Sequence, residues 1–190
     1  MRKLKVIIEY DGTNFHGFQV QPGLRTVQGE LEKAIAQLTK TETKIIGAGR
    51  TDAGVHALGQ VVSFSTASTI PIERFALALN SCLPADLRVR SAEEVAEDFH
   101  ARFSARWKTY RYIIRTDPKG AVFWRNYALL LPFTLDIGAM QAAAQHLIGT
   151  HSFQAFCASG ADVRNFVRTV ISCRIRMVEA NLVIEVTADG

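Results

Sequence analysis

An α+β fold built from two ferredoxin-like halves follows from three features of the sequence. Short runs rich in β-branched residues alternate with segments whose apolar side chains recur at helical spacing. The order strand, helix, strands occurs once before about residue 100 and again after it. No long Pro/Gly/Ser-rich linker separates the two occurrences. Two closely apposed halves with antiparallel sheets, 1–100 and 101–190, are therefore expected rather than independent beads.

In the first half, Lys5-Val6-Ile7-Ile8-Glu9-Tyr10 reads as a strand. Asp11-Gly12-Thr13-Asn14 is a turn signal, with Asp11 bonding its own backbone rather than acting as an acid. Thr26 is placed to cap a helix bearing Val27, Leu31, Ile35 and Leu38 on one face. Lys44-Ile45-Ile46 is a short strand that runs into a glycine-rich loop at 47–54, and 59–65 is a further strand. Pro71 stands where a helix would begin, with Ile72, Phe75, Ala76 and Leu79 as its apolar stripe. Residues 87–91 close this half as a strand. The second half offers a strand at 109–115, another at 126–131 and a helix at 135–148. That helix would gather Ile137, Met140, Ala144, Leu147 and Ile148 on one face. A long strand within 164–177 would form a hairpin with 181–186.

The 190 residues are 48% hydrophobic and 21% charged, which excludes disordered, collagenous and coiled-coil classes. A chain of this size buries roughly 70% of its unfolded surface and needs neither disulfide nor metal to fold. No apolar run approaches the ~18 residues of a membrane span. The apolar start, Val6 to Ile8, is far shorter than the roughly 7 to 15 residues of a signal peptide core. The expectation is a soluble cytoplasmic protein. Cys82, Cys157 and Cys173 include no CxxC pair and read as small apolar residues in a reducing compartment.

The net charge of +4 is unevenly distributed. Residues 1–99 carry 11 basic and 12 acidic side chains, whereas 100–190 carry 11 and 6. Within 102–125 stand seven basic residues, Arg102, Arg106, Lys108, Arg111, Arg115, Lys119 and Arg125, against one acid, Asp117. Phe103, Trp107, Tyr110, Tyr112, Phe123 and Trp124 interleave with them. Basic groups neutralise phosphates and aromatic faces stack on unpaired bases, so one reading is a nucleic-acid surface. The other is a solvated strand whose aromatics face the core.

The histidines, His16, His56, His100, His146 and His151, stand at no metal-ligand spacing. Gly47, Gly49 and Gly54 fit neither G-x-G-x-x-G nor a P-loop, so no nucleotide cofactor is indicated. Three glycines instead surround Arg50, Thr51 and Asp52. A carboxylate and a guanidinium two residues apart in such a loop can face one bound group, or can simply satisfy a tight turn.

The stretch from Gly47 to Val62, GAGRTDAGVHALGQVV, closely resembles the signature loop of the bacterial TruA-type tRNA pseudouridine synthases. EYDGTNFHGF at 9–18 resembles the family's N-terminal motif. DFHARFSA at 98–105 resembles its inter-domain segment, and KTYRY at 108–112 the strand that follows. The resemblance covers essentially the whole chain. Phe18 departs from the family's usual Trp, but both are apolar aromatics.

The resemblance implies a pseudouridine synthase core of RRM-like halves that isomerises uridine to pseudouridine at positions 38–40 in the anticodon arm of tRNA. It implies no metal and no cofactor. Asp52 matches the catalytic aspartate, which would attack C1′ or C6 or help abstract a proton; the sequence does not choose among these. A carboxylate suits covalent work at a sugar because it is ionised near neutral pH and leaves readily. Tyr110 matches the active-site tyrosine, placed to stack on the uracil and to take part in removing the C5 proton. Arg50 matches the arginine that would fill the space of the extruded nucleotide. Arg102, Arg106, Lys108 and Arg111 would hold tRNA phosphates. His56 reads as a support of the loop. A homodimer with tRNA lying across both subunits is also implied.

Family members continue into a strand with a Phe-Leu-x-x-Met-Val-Arg motif whose arginine pairs with the catalytic aspartate. No such motif occurs in the 190 residues, and Arg168 and Arg174 belong to another strand. The expectation is a fragment truncated at its C-terminus. The alternative to a working isomerase is then a catalytically impaired RNA-binding fragment.

Overall fold

The computed structural model describes residues 1–157 and 165–189. It comprises two compact units, Met1–Ala105 and Arg106–Gly190. Unit 1 runs β1 (Arg2–Tyr10), α1 (Val27–Thr39), β2 (Ile46–Gly47), β3 (Ala57–Thr66), α2 (Ile72–Asn80) and β4 (Leu87–Val95). Its sheet has the order β2-β3-β1-β4, with every neighbouring pair antiparallel. That is the βαββαβ arrangement of a ferredoxin-like unit.

Strict alternation along β1 sends Leu4, Val6, Ile8 and Tyr10 into the core. They meet Val27, Leu31 and Ile35 of α1, Phe75 and Leu79 of α2, and Val62 and Phe64 of β3. The Thr26 side chain accepts the Gly29 N–H and starts α1 where the cap signal placed it. Pro71 precedes the first residue of α2. The Lys44–Ile46 strand is shorter and later than expected. Glu32 of α1 takes the Ile45 N–H at 3.1 Å and the Lys44 ammonium at 2.9 Å, so pairing with β3 begins only at Ile46. β4 extends four residues past the expected end, through a register shift opposite Ile7 and Ile8. Residues beyond β4 stay with unit 1. Ala101 is buried and donates its N–H to Ser63 Oγ at 3.2 Å.

Unit 2 runs β5 (Lys108–Arg115), α3 (Ala121–Trp124), β6 (Leu129–Leu130), α4 (Ile137–Gln145), β7 (Gly149–Ser152), β8 (Val167–Val178) and β9 (Asn181–Ala188). The sheet order is β6-β5-β9-β8-β7, antiparallel except for β5 and β6. The order β8-β9-β5, with α4 between β5 and β8 in the chain, repeats β2-β3-β1 of unit 1. The expected β8–β9 hairpin is present. The beginning of that expected strand, Arg164, lies outside the described residues.

Two readings in this half need correction. The expected strand at 126–131 shrinks to two residues parallel to β5, because the Trp124 carbonyl accepts the Tyr127 and Ala128 N–H groups and curls the chain. The helix expected at 135–148 starts after Asp136, whose side chain accepts the Ala139 N–H at 2.9 Å. It ends at Gln145, leaving Ile148 exposed. α3 and β7, four residues each, were too short to show a period.

Phe64 and Phe75 are fully enclosed, with ring centroids 6.2 Å apart. Phe64→Ala should lower stability in urea by about 3–5 kcal/mol. Phe123→Ser, at a site 82% exposed, should change it by less than about 0.5 kcal/mol.

Candidate active site

β1 delivers the chain to the start of the site. Asp11 Oδ1 accepts the Thr13 N–H at 3.0 Å and the Thr13 hydroxyl at 2.6 Å, closing a 3-10 turn at Gly12–Asn14. His56 Nδ1 accepts the Gly12 N–H at 3.1 Å and lies 3.1 Å from Asp11 Oδ1. Asp11 therefore shapes a turn and His56 braces it.

Segment 10–18 and the loop between β2 and β3 are joined by further bonds. The Phe18 N–H donates to the Thr51 carbonyl at 3.0 Å, and the Gly54 N–H to the Phe15 carbonyl at 3.2 Å. The Tyr10 hydroxyl and Thr51 Oγ1 share a hydrogen bond of 2.8 Å. Two glycines permit this approach. A Cβ on Gly12 would stand 2.0 Å from the Val55 carbonyl oxygen. One on Gly17, whose φ is +85°, would stand 2.8 Å from the Thr51 carbonyl oxygen. Phe18 is buried, with its ring against Gly47.

At the loop's other side, the Ala48 N–H donates to the Val61 carbonyl at 2.8 Å and Gln60 Nε2 to the Gly49 carbonyl at 2.5 Å. The outcome is a clamped backbone that presents Arg50 and Asp52 as exposed side chains, with Thr51 half-buried between them. Among the described residues of unit 1, no ion pair engages Arg50 or Asp52.

A second brace lies behind segment 11–18. Arg25 Nη1 and Nη2 donate to the two Asp86 carboxylate oxygens, each at 2.7 Å. The guanidinium also stands 4.2 Å over the Phe15 ring. The Asp86 carbonyl accepts the Asp11 N–H at 3.0 Å, and the Arg25 carbonyl accepts the His16 N–H at 2.9 Å. The Arg25 hydrogen bond holds the Asp86 carboxyl below the usual aspartate range. Arg25 is raised, chiefly by the same bond.

The remaining expected site residues are distributed over both units. Arg102 is exposed in unit 1, 5.8 Å from the ring of exposed Phe103, on the segment anchored through Ala101. His100 stacks on that ring at 4.3 Å. In unit 2, Arg106 is exposed and Lys108 half-buried. Tyr110 pairs with Val186 in the sheet and is 54% exposed. Arg111, its neighbour in the strand, points to the opposite face. There it donates to Glu185 through Nε at 3.0 Å and Nη2 at 2.8 Å. Arg176 joins the same carboxylate at 3.1 Å. Hydrogen bonds from Arg111 and then Arg176 hold Glu185 below its ordinary range.

A family model described as tRNA pseudouridine synthase matches residues 6–104 and 143–190. The chain belongs to the tRNA pseudouridine synthase family. Membership makes it an isomerase. It is 48% identical to tRNA pseudouridine synthase A of Syntrophomonas wolfei, over 100% of this chain and 76% of that protein. It is 47% identical to the Bacillus subtilis protein of the same name, over 99% of this chain and 77% of the relative. The Moorella thermoacetica protein of that name is 49% identical, over 98% and 77%. Arg50, Asp52 and Arg102 fall within the matched stretches of the synthase family, whereas Arg106, Lys108, Tyr110 and Arg111 lie between them. Among the described residues, no helix of this synthase is long and apolar enough to cross a membrane.

Arg25 and Asp86 escaped the sequence reading because 61 residues separate them and neither sits in a recognisable motif. Tyr10 stands inside the EYDGTNFHGF motif, but only the folded chain shows what its hydroxyl touches.

Gly12→Ala should break the junction between segment 10–18 and the loop. The expected result is a drop in melting temperature of several degrees, with faster proteolysis around 50–56. The Arg25–Asp86 pair also sets an acid response. Its stabilisation is complete above the unfolded aspartate pKa, about 3.9, and fades as pH falls through the lower folded value. Melting temperature should therefore fall more steeply below pH 4 in the native chain than in Asp86→Asn.

Proposed function

We propose that the chain converts uridine to pseudouridine at positions 38–40 of the tRNA anticodon stem-loop, with Asp52 as the catalytic carboxylate. The supporting observation is an exposed Asp52 on a loop whose backbone is clamped from both sides. Preorganisation of this kind is what a carboxylate needs to meet one atom of a bound nucleotide. The relatives, tRNA pseudouridine synthases A, supply the substrate class.

In the reaction the N1–C1′ bond breaks, the uracil rotates, and a C5–C1′ bond forms. The C5 proton leaves and N1 gains one, so the change is redox-neutral. Arg50, beside Asp52, fills the gap left by the extruded nucleotide. Tyr110, more than half exposed on β5, stacks on the uracil and assists removal of the C5 proton. Arg102, Arg106 and Lys108 hold backbone phosphates. Arg111 can do so only in competition with Glu185. A homodimer bearing the tRNA across both subunits, in the cytoplasm, completes the proposal.

Tritium release from tRNA labelled at uridine C5 tests the catalytic part. Asp52→Asn should abolish release, and turnover by that variant would defeat the assignment. For the phosphate contacts, each of Arg102→Ala and Lys108→Ala should lower the salt slope of tRNA binding by about one unit. Arg111→Ala should change it less.

A further inference from the structure

We infer that the hydrogen bond between Tyr10 and Thr51 aims the catalytic loop, making both of them positioning residues for Arg50 and Asp52. The inference rests on Asp52 as the catalytic carboxylate. It starts from the rigidity of Tyr10. This residue ends β1 and pairs with Ala57 of β3 on one side and Leu87 of β4 on the other. Its side chain is 4% exposed, and its ring meets Phe15 edge-on at 6.3 Å. A phenol enclosed to this degree keeps its hydroxyl in one place and needs a polar partner there. Thr51 Oγ1 stands at 2.8 Å.

Thr51 is held a second time, by its carbonyl, which accepts the Phe18 N–H at 3.0 Å. A residue fixed through both side chain and carbonyl transmits its orientation to its immediate neighbours. Those neighbours are Arg50 and Asp52, whose exposed side chains have no ion pair within unit 1 to orient them. The central sheet strand thus reaches the loop at Thr51 through this hydroxyl pair, beside the backbone bonds at Phe18 and Gly54. Misplacement of about 1 Å at a reacting group can cost up to about a hundredfold in rate, whereas one neutral hydrogen bond matters little to a whole fold.

The test compares Tyr10→Phe, Thr51→Val, their double variant and Thr51→Ser in the full chain. Steady-state tritium release gives kcat and KM, and amide hydrogen exchange reports on 50–55. Tyr10→Phe and Thr51→Val should each lower kcat about tenfold, with KM within about twofold. The double variant should be no worse than either single one, because one bond is lost in all three. Thr51→Ser, which keeps the oxygen, should recover most of the rate. The hydrogen-bonded amides of Gly54 and Val55 should exchange about tenfold faster while those of β1 and β3 stay protected. Unchanged kcat in Tyr10→Phe, alongside an inactive Asp52→Asn, would overturn the inference. So would multiplying losses in the double variant, or loosening that spreads into the strands. Turnover by Asp52→Asn would instead defeat the catalytic reading. Loop exchange would then decide the role of the bond alone: faster exchange in Tyr10→Phe upholds it, and unchanged exchange refutes it.

Discussion

The near-contact of two backbones, at Gly12 and Val55, is the constraint on which the rest of the site depends. With 2.0 Å between a hypothetical Cβ and the Val55 carbonyl oxygen, only glycine lets the end of β1 lie against the loop. Once that approach is allowed, hydrogen bonds follow from Gly12 to His56, from Phe18 to Thr51 and from Gly54 to Phe15. Each is modest alone. Together they turn a loop rich in glycine, which would otherwise sample many conformations, into a platform. The Arg25–Asp86 fork supports this platform from behind, through the Asp11 and His16 backbone.

The two units divide their work differently. Unit 1 has a large core in which β1, β3, α1 and α2 enclose phenylalanine, leucine and isoleucine side chains. Such packing is stiff and suits the support of a reacting group. Unit 2 has a small core, centred on Ala144, Val170 and Cys173, and leaves Trp107, Tyr110, Tyr112 and Phe123 largely exposed. Aromatic faces beside basic groups are the chemistry that unpaired bases and phosphates engage. The strand β5 separates these groups by its alternation: Tyr110 and Tyr112 lie on one face and Arg111 on the other, tied to Glu185.

Much of unit 1 was legible before folding because its signals are local. A capping threonine, apolar residues at helical spacing and an alternating strand each act within a few residues of themselves. The signature loop was legible too, as a contiguous motif. Unit 2 is less legible. The curl after Trp124 depends on one carbonyl taking two N–H groups, and the displacement of β2 depends on Glu32, thirteen residues before Ile45. No periodicity announces either. The charge cluster at 102–125 shows residue types but not their partners, so nothing local sets Arg111, bonded to Glu185, apart from Arg106.

By itself, then, the sequence determined the α+β class, the family and the contiguous Arg50-Thr51-Asp52 motif. Those properties are written in neighbouring residues. Tertiary structure alone decided that Tyr10 meets Thr51, that Arg25 meets Asp86 and that Gly12 lies beneath Val55. These pairs stand 41, 61 and 43 positions apart, and only the antiparallel registry of β1 with β3 and β4 brings them together. Pairing across a sheet is set by the burial of whole faces, a sum over many residues that no short motif carries.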